Sequence, residues 1–407
     1  MTEPLPPFAS DNYAGTHPEV LAAITAANDG SAVAYGDDPW TARLDARVAE
    51  VFGPGTLAFP LINGTGANVV SLMALSERWG GVVTPDVAHV NTDENGAPER
   101  VGGLKMLPCP SVDGRIEPVG VERWARQSHD VHRAHPGVLS LTQSTELGTV
   151  YSVAALRALV DTAHGLGLAV HVDGSRLANA AAALGCSLRA LTTDLGVDVV
   201  SLGAAKTGGM IGEAVVVLGP DDAPDLPGSG YDGAGLRRRA AAAVPYLRKS
   251  TMQLASKTRF VSAQLLALLG EPGAPVGGGV AAGAGAAGAG AGEPLWWRNA
   301  AHANAMAVRL RDGLDAAGAL DPAPGGASAP EVRTAVGGVR ITRPVEANAV
   351  FATLPRGAAD RVREQARFYD WAPGETPDRV EVRWMCSWDT PAEAVDAFVA
   401  AVVTALR

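Results

Sequence analysis

Leu168-Ala169-Val170-His171-Val172-Asp173-Gly174-Ser175-Arg176 and, further on, Asp198-Val199-Val200-Ser201-Leu202-Gly203-Ala204-Ala205-Lys206 are the stretches that decide the fold. Each holds an apolar run of strand length, the pattern of a strand covered on both faces in a parallel sheet. Each run is followed by a residue able to do chemistry, Asp173 in the first and Lys206 in the second. The two stand 206 − 173 = 33 residues apart, about one strand–helix–strand unit. In an open α/β sheet, ligands bind beyond the carboxyl ends of the strands. Both residues are therefore expected on the ligand side of one sheet.

The same alternation extends outward from about Gly55 to Gly219. Gly137 to Thr142 reads as a strand, and Leu156, Leu159, Val160 and Ala163 follow at helical spacing. Ala214 to Leu218 is one more strand, and the mostly apolar run Leu57 to Ile62 precedes another helical pattern. The predicted fold class is α/β, a mostly parallel sheet of the seven-stranded type in a large domain. That domain, with an N-terminal arm, is expected over residues 1–258. A smaller α/β C-terminal domain, residues 259–407, holds a long helix from Trp296 to Leu314, strands at 349–351 and 380–382, and a final amphipathic helix from Pro391. Residues 272–294, with Gly277-Gly278-Gly279 and an Ala/Gly alternation, read as a flexible surface insertion. The GxGxxG formed by Gly283, Gly285 and Gly288 follows no strand and is a by-product of that repeat.

Bulk composition narrows the function classes. The chain has 407 residues, a net charge of −10, 47% hydrophobic and 19% charged residues. It can bury a large core, and its acidity argues against nucleic acid as a partner. Cys109, Cys186 and Cys386 are odd in number and far apart, which suits neither a disulfide framework nor a zinc pattern. No metal site is expected. The stretch Met1 to Pro7 has no basic and apolar leader pattern, and no apolar run is long enough to span a membrane. These features predict a cytoplasmic chain with small-molecule partners and no membrane partner.

Taken singly, Asp173 is most often a helix cap and Lys206 most often a solvated surface charge. As a pair at one sheet edge they fit enzymes that use pyridoxal 5'-phosphate (PLP). A lysine amine forms an imine with that cofactor, and a carboxylate keeps its pyridine nitrogen protonated so that the ring accepts electrons. Gly203, Gly208 and Gly209 give Lys206 a tight turn. Asn63-Gly64-Thr65-Gly66-Ala67-Asn68 opens a helical pattern, where backbone N–H groups and the helix dipole suit a phosphate. The alternative there is an ordinary tight turn. His89 offers a flat ring to stack on a pyridine, or is simply a satisfied loop histidine.

With these motifs in order, the chain resembles the threonine aldolases, a branch of the fold-type I PLP enzymes that share the aspartate aminotransferase fold. The resemblance runs from Ser10 to about Phe398. It rests on Ser10-Asp11-Asn12, Tyr35-Gly36-Asp37-Asp38-Pro39, Gly64 to Asn68, His89 with Glu94 and Gly96, His171 to Arg176, Ser201 to Gly209, and Arg383 with Ser387-Trp388. It implies that Lys206 is the Schiff-base lysine, Asp173 the pyridinium partner, and Arg176 a neighbour of the cofactor's phenolic oxygen. It further implies that His89 stacks on the ring and that Gly64, Thr65 and Gly66 cradle the phosphate. Ser10 and Arg383 look like ligands of the substrate carboxylate, a task suited to a planar guanidinium. Arg248 resembles an arginine that reaches the phosphate, of the same or of a neighbouring subunit, and His132 one placed near a β-hydroxyl. His89 and His132 are both candidates for the base. The implied reaction is retro-aldol cleavage of a β-hydroxy-α-amino acid to glycine and an aldehyde. β-Elimination or transamination would use Lys206 and Asp173 equally well. The family also implies a homodimer or homotetramer. Trp40, beside the Gly36-Asp37-Asp38-Pro39 motif, is expected either to pack at an interface or to wall the pocket for the β-substituent.

Overall fold

The computed structural model describes residues 5–126, 128, 130–224, 226, 228–278, 292–321 and 337–407. Seven strands form the main sheet: β1 (Leu57–Leu61), β2 (Gly80–Pro85), β3 (Lys105–Cys109), β4 (His135–Thr142), β5 (Ala169–Gly174), β6 (Val199–Gly203) and β7 (Glu213–Val217). Their order is β1-β7-β6-β5-β4-β2-β3. β7 runs antiparallel to both of its neighbours, while the β6-β5-β4-β2-β3 pairings are all parallel. The reason is local. From Gly203 to Glu213 is 213 − 203 = 10 positions, too short a link for the crossover that a parallel pair needs.

Alternation along the central strands feeds two cores. Val200, Leu202 and Val216 join one apolar cluster with Leu139, Leu141, Val170 and Val172. Val199, Val215 and Val217 join the other, with Val82, Val138 and Ala169. The first face is covered by the helices Pro39–Phe52, Val153–Gly165, Leu177–Leu184 and Arg259–Leu269. The second is covered by Gly64–Leu75 and Gly233–Ser250. The helical spacing of Leu156, Leu159, Val160 and Ala163 is realised, and all four are buried.

A second sheet follows, built from β8 (Arg340–Ile341), β9 (Ala349–Pro355), β10 (Tyr369–Pro373) and β11 (Arg379–Met385) in the order β10-β11-β9-β8. All its pairs are antiparallel. Its core is closed by the far half of the long helix Leu295–Ala316 and by Ala392–Ala405. The N-terminal arm docks here. Phe8 is buried and stacks on Phe398 at 4.3 Å, and its carbonyl accepts from Met385 N at 2.9 Å.

The cores divide later than residue 258. The helix Arg259–Leu269 and residues Leu295 to Trp297 belong to the first core, whereas Met306, Leu310 and Leu314 belong to the second. The changeover lies inside one long helix, which offers no linker for composition to reveal. Most of the predicted insertion, residues 279–291, lies outside the described residues. Its beginning is held by a buried arginine: Arg47 donates to the carbonyls of Leu269, Ala274 and Pro275, and Gly277 lies against Trp296. Pro272 is therefore not the start of a free segment.

Candidate active site

Lys206 is the middle residue of a short 3₁₀ turn, Ala205–Thr207, set directly past the end of β6. Gly203 can only be glycine at its strand crossing, because a Cβ there would approach the Ser175 backbone to 2.7–3.0 Å. Gly208 closes the turn at φ +110°, a region that side chains avoid. Outside elements pin the turn: Asn299 Nδ2 donates to Thr207 O at 2.7 Å, and His17 N donates to Gly208 O at 2.8 Å. Burial, reinforced by the Arg176 guanidinium, lowers the pKa of Lys206, while Asp11, Asp173 and Glu213 oppose that fall.

Asp173 ends β5 on the same sheet edge and is buried. Its Oδ1 accepts from Ser175 N at 3.0 Å, and its Oδ2 accepts from Asn68 Nδ2 at 2.8 Å. Burial resists ionisation, but the Lys206 charge and these donors outweigh it and hold the carboxyl below the usual range. The Asn68 amide also donates to Glu94 Oε1 at 2.8 Å, and Glu94 Oε1 lies 2.9 Å from His89 Nδ1. Asp173, Asn68, Glu94 and His89 thus form one continuous hydrogen-bonded chain. The bond to Glu94 raises the pKa of His89 against the effect of burial. Beneath Asp173, His171 bridges Ser140 and Ser201 at 2.9 Å each, and burial pushes its pKa down to about 4. A neutral imidazole therefore supports the strand end that carries the carboxylate.

Lys206, Asn68, Glu94 and His89 open onto one pocket of about 290 Å³, whose lining also includes Gly64, Thr65 and Glu213, and Asp173 is bonded directly to the lining residues Asn68 and Ser175. The helix Gly64–Leu75 points its first turn at the pocket. Asn63 caps it by accepting from Gly66 N at 2.8 Å, so the N–H groups of Gly64 and Thr65 are the donors at the helix start. This set suits a phosphorylated pyridine: an amine, a fixed buried carboxylate, a planar ring and a helix N-terminus converge on one space. Gly66 itself stands back under Gln253, whose side chain occupies the room where a Cβ would go.

A second cluster adjoins the first. Arg176 makes a two-pronged pair with Asp11, Nε to Oδ2 at 2.7 Å and Nη2 to Oδ1 at 2.9 Å. Asn348 adds a donor to Asp11 at 3.2 Å. Burial opposes ionisation of Asp11, but Arg176 dominates and the pKa falls to about 2. Arg383, on β11, donates to Ala9 O at 3.2 Å and lies 5.0 Å from the centre of the Trp371 ring. Ser10 follows Ala9 directly, and its Oγ accepts from the N–H of Asn12, which lines the pocket. The docked N-terminal arm is what brings Ser10, Arg383 and Arg176 together.

Three of the expected residues lie outside this chain's own pocket. His132 is exposed on the segment that leads into β4, and β4 is parallel to β5. That segment therefore lies at the amino edge, opposite the strand ends that carry Asp173 and Lys206, and His132 takes no part in this chain's pocket. Arg248 is buried and donates to Pro60 O at 3.0 Å rather than lining the pocket. Its helix turns it inward toward Phe59, while the exposed Lys249 lies 5.0 Å from the Tyr35 ring. Trp40 packs on the first core under Arg43 at 4.5 Å and does not wall the pocket.

Four residues had no assigned role in the sequence reading. Asn68 and Glu94 stood inside quoted motifs, and their offsets, two after Gly66 and five after His89, were the available signal. Asp11 sits next to Ser10 but faces Arg176 across 165 positions. Glu213 meets the lysine turn across the β6–β7 hairpin, for which local sequence carries no sign.

The family profile described as beta-eliminating lyase matches residues 7–335. The chain is 36% identical over 397 residues to the low specificity L-threonine aldolase of Pseudomonas aeruginosa, covering 97% of this chain and 96% of that protein. Among solved structures, a Leishmania major threonine aldolase superposes with a TM-score of 0.79 at 22% identity, over 99% of this chain and all of that one. A Rhodobacter sphaeroides aspartate aminotransferase superposes with a TM-score of 0.61 at 19% identity, over 100% and 94% of the two chains. At those identities the two structures speak for the fold, which is the expected one. Sequence and fold agree that this chain belongs to the beta-eliminating lyase family.

Proposed function

We propose that the chain cleaves β-hydroxy-α-amino acids of the threonine type to glycine and an aldehyde, with pyridoxal 5'-phosphate held at Lys206. The observation that carries this reading is the hydrogen-bonded chain from Asp173 through Asn68 and Glu94 to His89, which faces Lys206 across one pocket. The full-length similarity to a threonine aldolase supports the same reading. When bound, the cofactor supplies an electron sink for the pair released as the Cα–Cβ bond breaks.

The chain's own residues do the rest. Asp173, ionised and fixed by Ser175 and Asn68, holds a proton at the pyridine nitrogen. Gly64 and Thr65 present first-turn N–H groups to the phosphate, with Gly66 shaping the same turn. The Asp11 carboxylate holds Arg176 extended toward the lysine side of the site, where the cofactor's phenolic oxygen is expected. Arg383 offers its fork to the substrate carboxylate with Ser10 beside it, and Trp371 backs the guanidinium. His89 bonds Glu94 through Nδ1, which leaves Nε2 to take the β-hydroxyl proton.

Two coarser features belong to the same reading. A homo-oligomer is supported by exposed apolar side chains near the phosphate end: Tyr35, Tyr246 and Met252 are 51%, 80% and 83% exposed. A cytoplasmic setting is supported by the three unpaired cysteines. The deciding experiment is product analysis with threonine and phenylserine, using wild type and Lys206→Ala. Glycine and the matching aldehyde are expected from wild type only. An oxo acid with ammonia, or full activity in the variant, would overturn the assignment.

A further inference from the structure

Glu213 is buried at the start of β7, ahead of the apolar run Ala214 to Val217. The register pairs it with Gly203, the last residue of β6 before the lysine turn. Its Oε2 accepts from Ala204 N at 2.6 Å, and the Ala205 backbone also lies within its reach. It lines the same pocket as Lys206. A simple tie between two strand ends would need only a neutral acceptor. Burying a carboxylate costs free energy unless a charge compensates it, and the cation facing Glu213 is Lys206.

We propose that Glu213 is a positioning residue for Lys206: its carboxyl clasps the backbone entering the lysine turn and presents a counter-charge to the lysine nitrogen. The proposal rests on Lys206 being the residue that holds the cofactor. The charged groups around the pair are Asp173, which raises both Glu213 and Lys206, and Arg176 and Asp11, which act on Lys206 in opposite directions. His89 and Glu94 share the pocket. Burial lifts Glu213 to about 7, against the pull of the Ala204 N–H and of Lys206. The charge on the lysine nitrogen therefore bears directly on the ionisation of this carboxyl, and the reverse. The two groups then titrate as a coupled pair.

Three variants of the PLP-loaded enzyme separate the clasp from the charge. Glu213→Gln keeps an oxygen for Ala204 N but cannot ionise. Glu213→Asp keeps the charge on a shorter arm. Glu213→Ala has neither. The readouts are the pH titration of the visible cofactor band, the PLP dissociation constant, and peptide mapping after borohydride reduction. Mapping to Lys206 is expected throughout. With Glu213→Gln the band's midpoint should fall by about one pH unit, because an anion that stabilises the protonated nitrogen is gone, while PLP affinity stays near wild type. Glu213→Asp should restore part of that shift. Glu213→Ala should show the shift and also bind PLP about 10-fold more weakly, as loss of one charge-assisted hydrogen bond implies. If the reduced adduct maps elsewhere, the assignment of Lys206 is wrong whatever Glu213 does. If it maps to Lys206 and Glu213→Gln titrates like wild type, the counter-charge role is overturned.

Discussion

Replacing Asn68 with Leu tests the centre of the site with little change in side-chain volume. The Asn68 amide is buried and donates two 2.8 Å bonds to two buried carboxylate oxygens, one on Asp173 and one on Glu94. A hydrogen bond to a charged group contributes about 1.5–3 kcal/mol. Losing both should destabilise the fold by about 3–6 kcal/mol, toward the lower end if the carboxylates relax. The loss should depend on pH, and the sign follows from the two groups. The lowered pKa of Asp173 means that its stabilising share is fully present above the ordinary carboxylate value and disappears as pH falls through the lowered one. Removing a donor raises that value and shrinks the share. Glu94 is already raised by burial, so it destabilises the fold as it ionises, and loss of a donor worsens this. The Asp173 loss is the same in mild acid and at neutrality, both of which lie above the ordinary carboxylate value, while the Glu94 loss makes the variant suffer more near neutrality. Urea denaturation of variant and wild type at neutral and at mildly acidic pH measures this. Catalysis should suffer too. Losing one such bond in the transition state, at about 1.36 kcal/mol per decade, lowers kcat/KM by about 10- to 150-fold. A stability loss below about 1 kcal/mol, or one equal at both pH values, would refute the coupling of Asp173 and Glu94 through Asn68.

His132→Ala should leave kcat/KM within about 2-fold of wild type while His89→Asn lowers it by about 100-fold or more, as expected for loss of an acid–base group; steady-state rates with threonine decide between the two histidines. Glu94→Gln keeps an acceptor for His89 but removes the negative charge that helps raise its pKa, so the acid limb of the kcat/KM profile should move to lower pH, and an unmoved limb would discount His89 as the base. Arg383→Lys keeps the charge but loses the two-pronged fork and the stacking on Trp371, so KM should rise more than kcat falls, by about 10-fold or more, and the opposite split would separate Arg383 from carboxylate binding.

Much of this protein was legible in its sequence because strand burial is a local property. A strand covered on both faces must be apolar along its length, so β4, β5, β6 and β7 announced themselves. Residues at their carboxyl ends were then placed by topology alone, which is why Asp173 and Lys206 met as expected. β2 and β3 carried weaker signals, with Gly80, Gly81, Pro85 and Pro108 diluting the apolar pattern. The direction of β7 depended on counting its link, and the domain changeover was hidden inside one continuous helix.

What only the tertiary structure decided were partnerships between distant polar groups. Hydrogen bonds such as Asn68 to Asp173, Arg176 to Asp11, or Glu213 to Ala204 are fixed by the packing of whole elements, and nothing in either partner's neighbourhood encodes the other. The same holds for the residues that lie outside this chain's pocket. His132 and Arg248 have side chains suited to the tasks expected of them. Which edge of the sheet a loop joins, and which way a helix is turned, are settled by the burial of apolar faces that those residues do not share. The sequence by itself therefore determined the sheet and the chemistry at its strand ends, because both follow from local pattern. The tertiary structure alone determined which groups hold that chemistry in place, because desolvated polar groups take whichever partners the packed elements bring within about 3 Å.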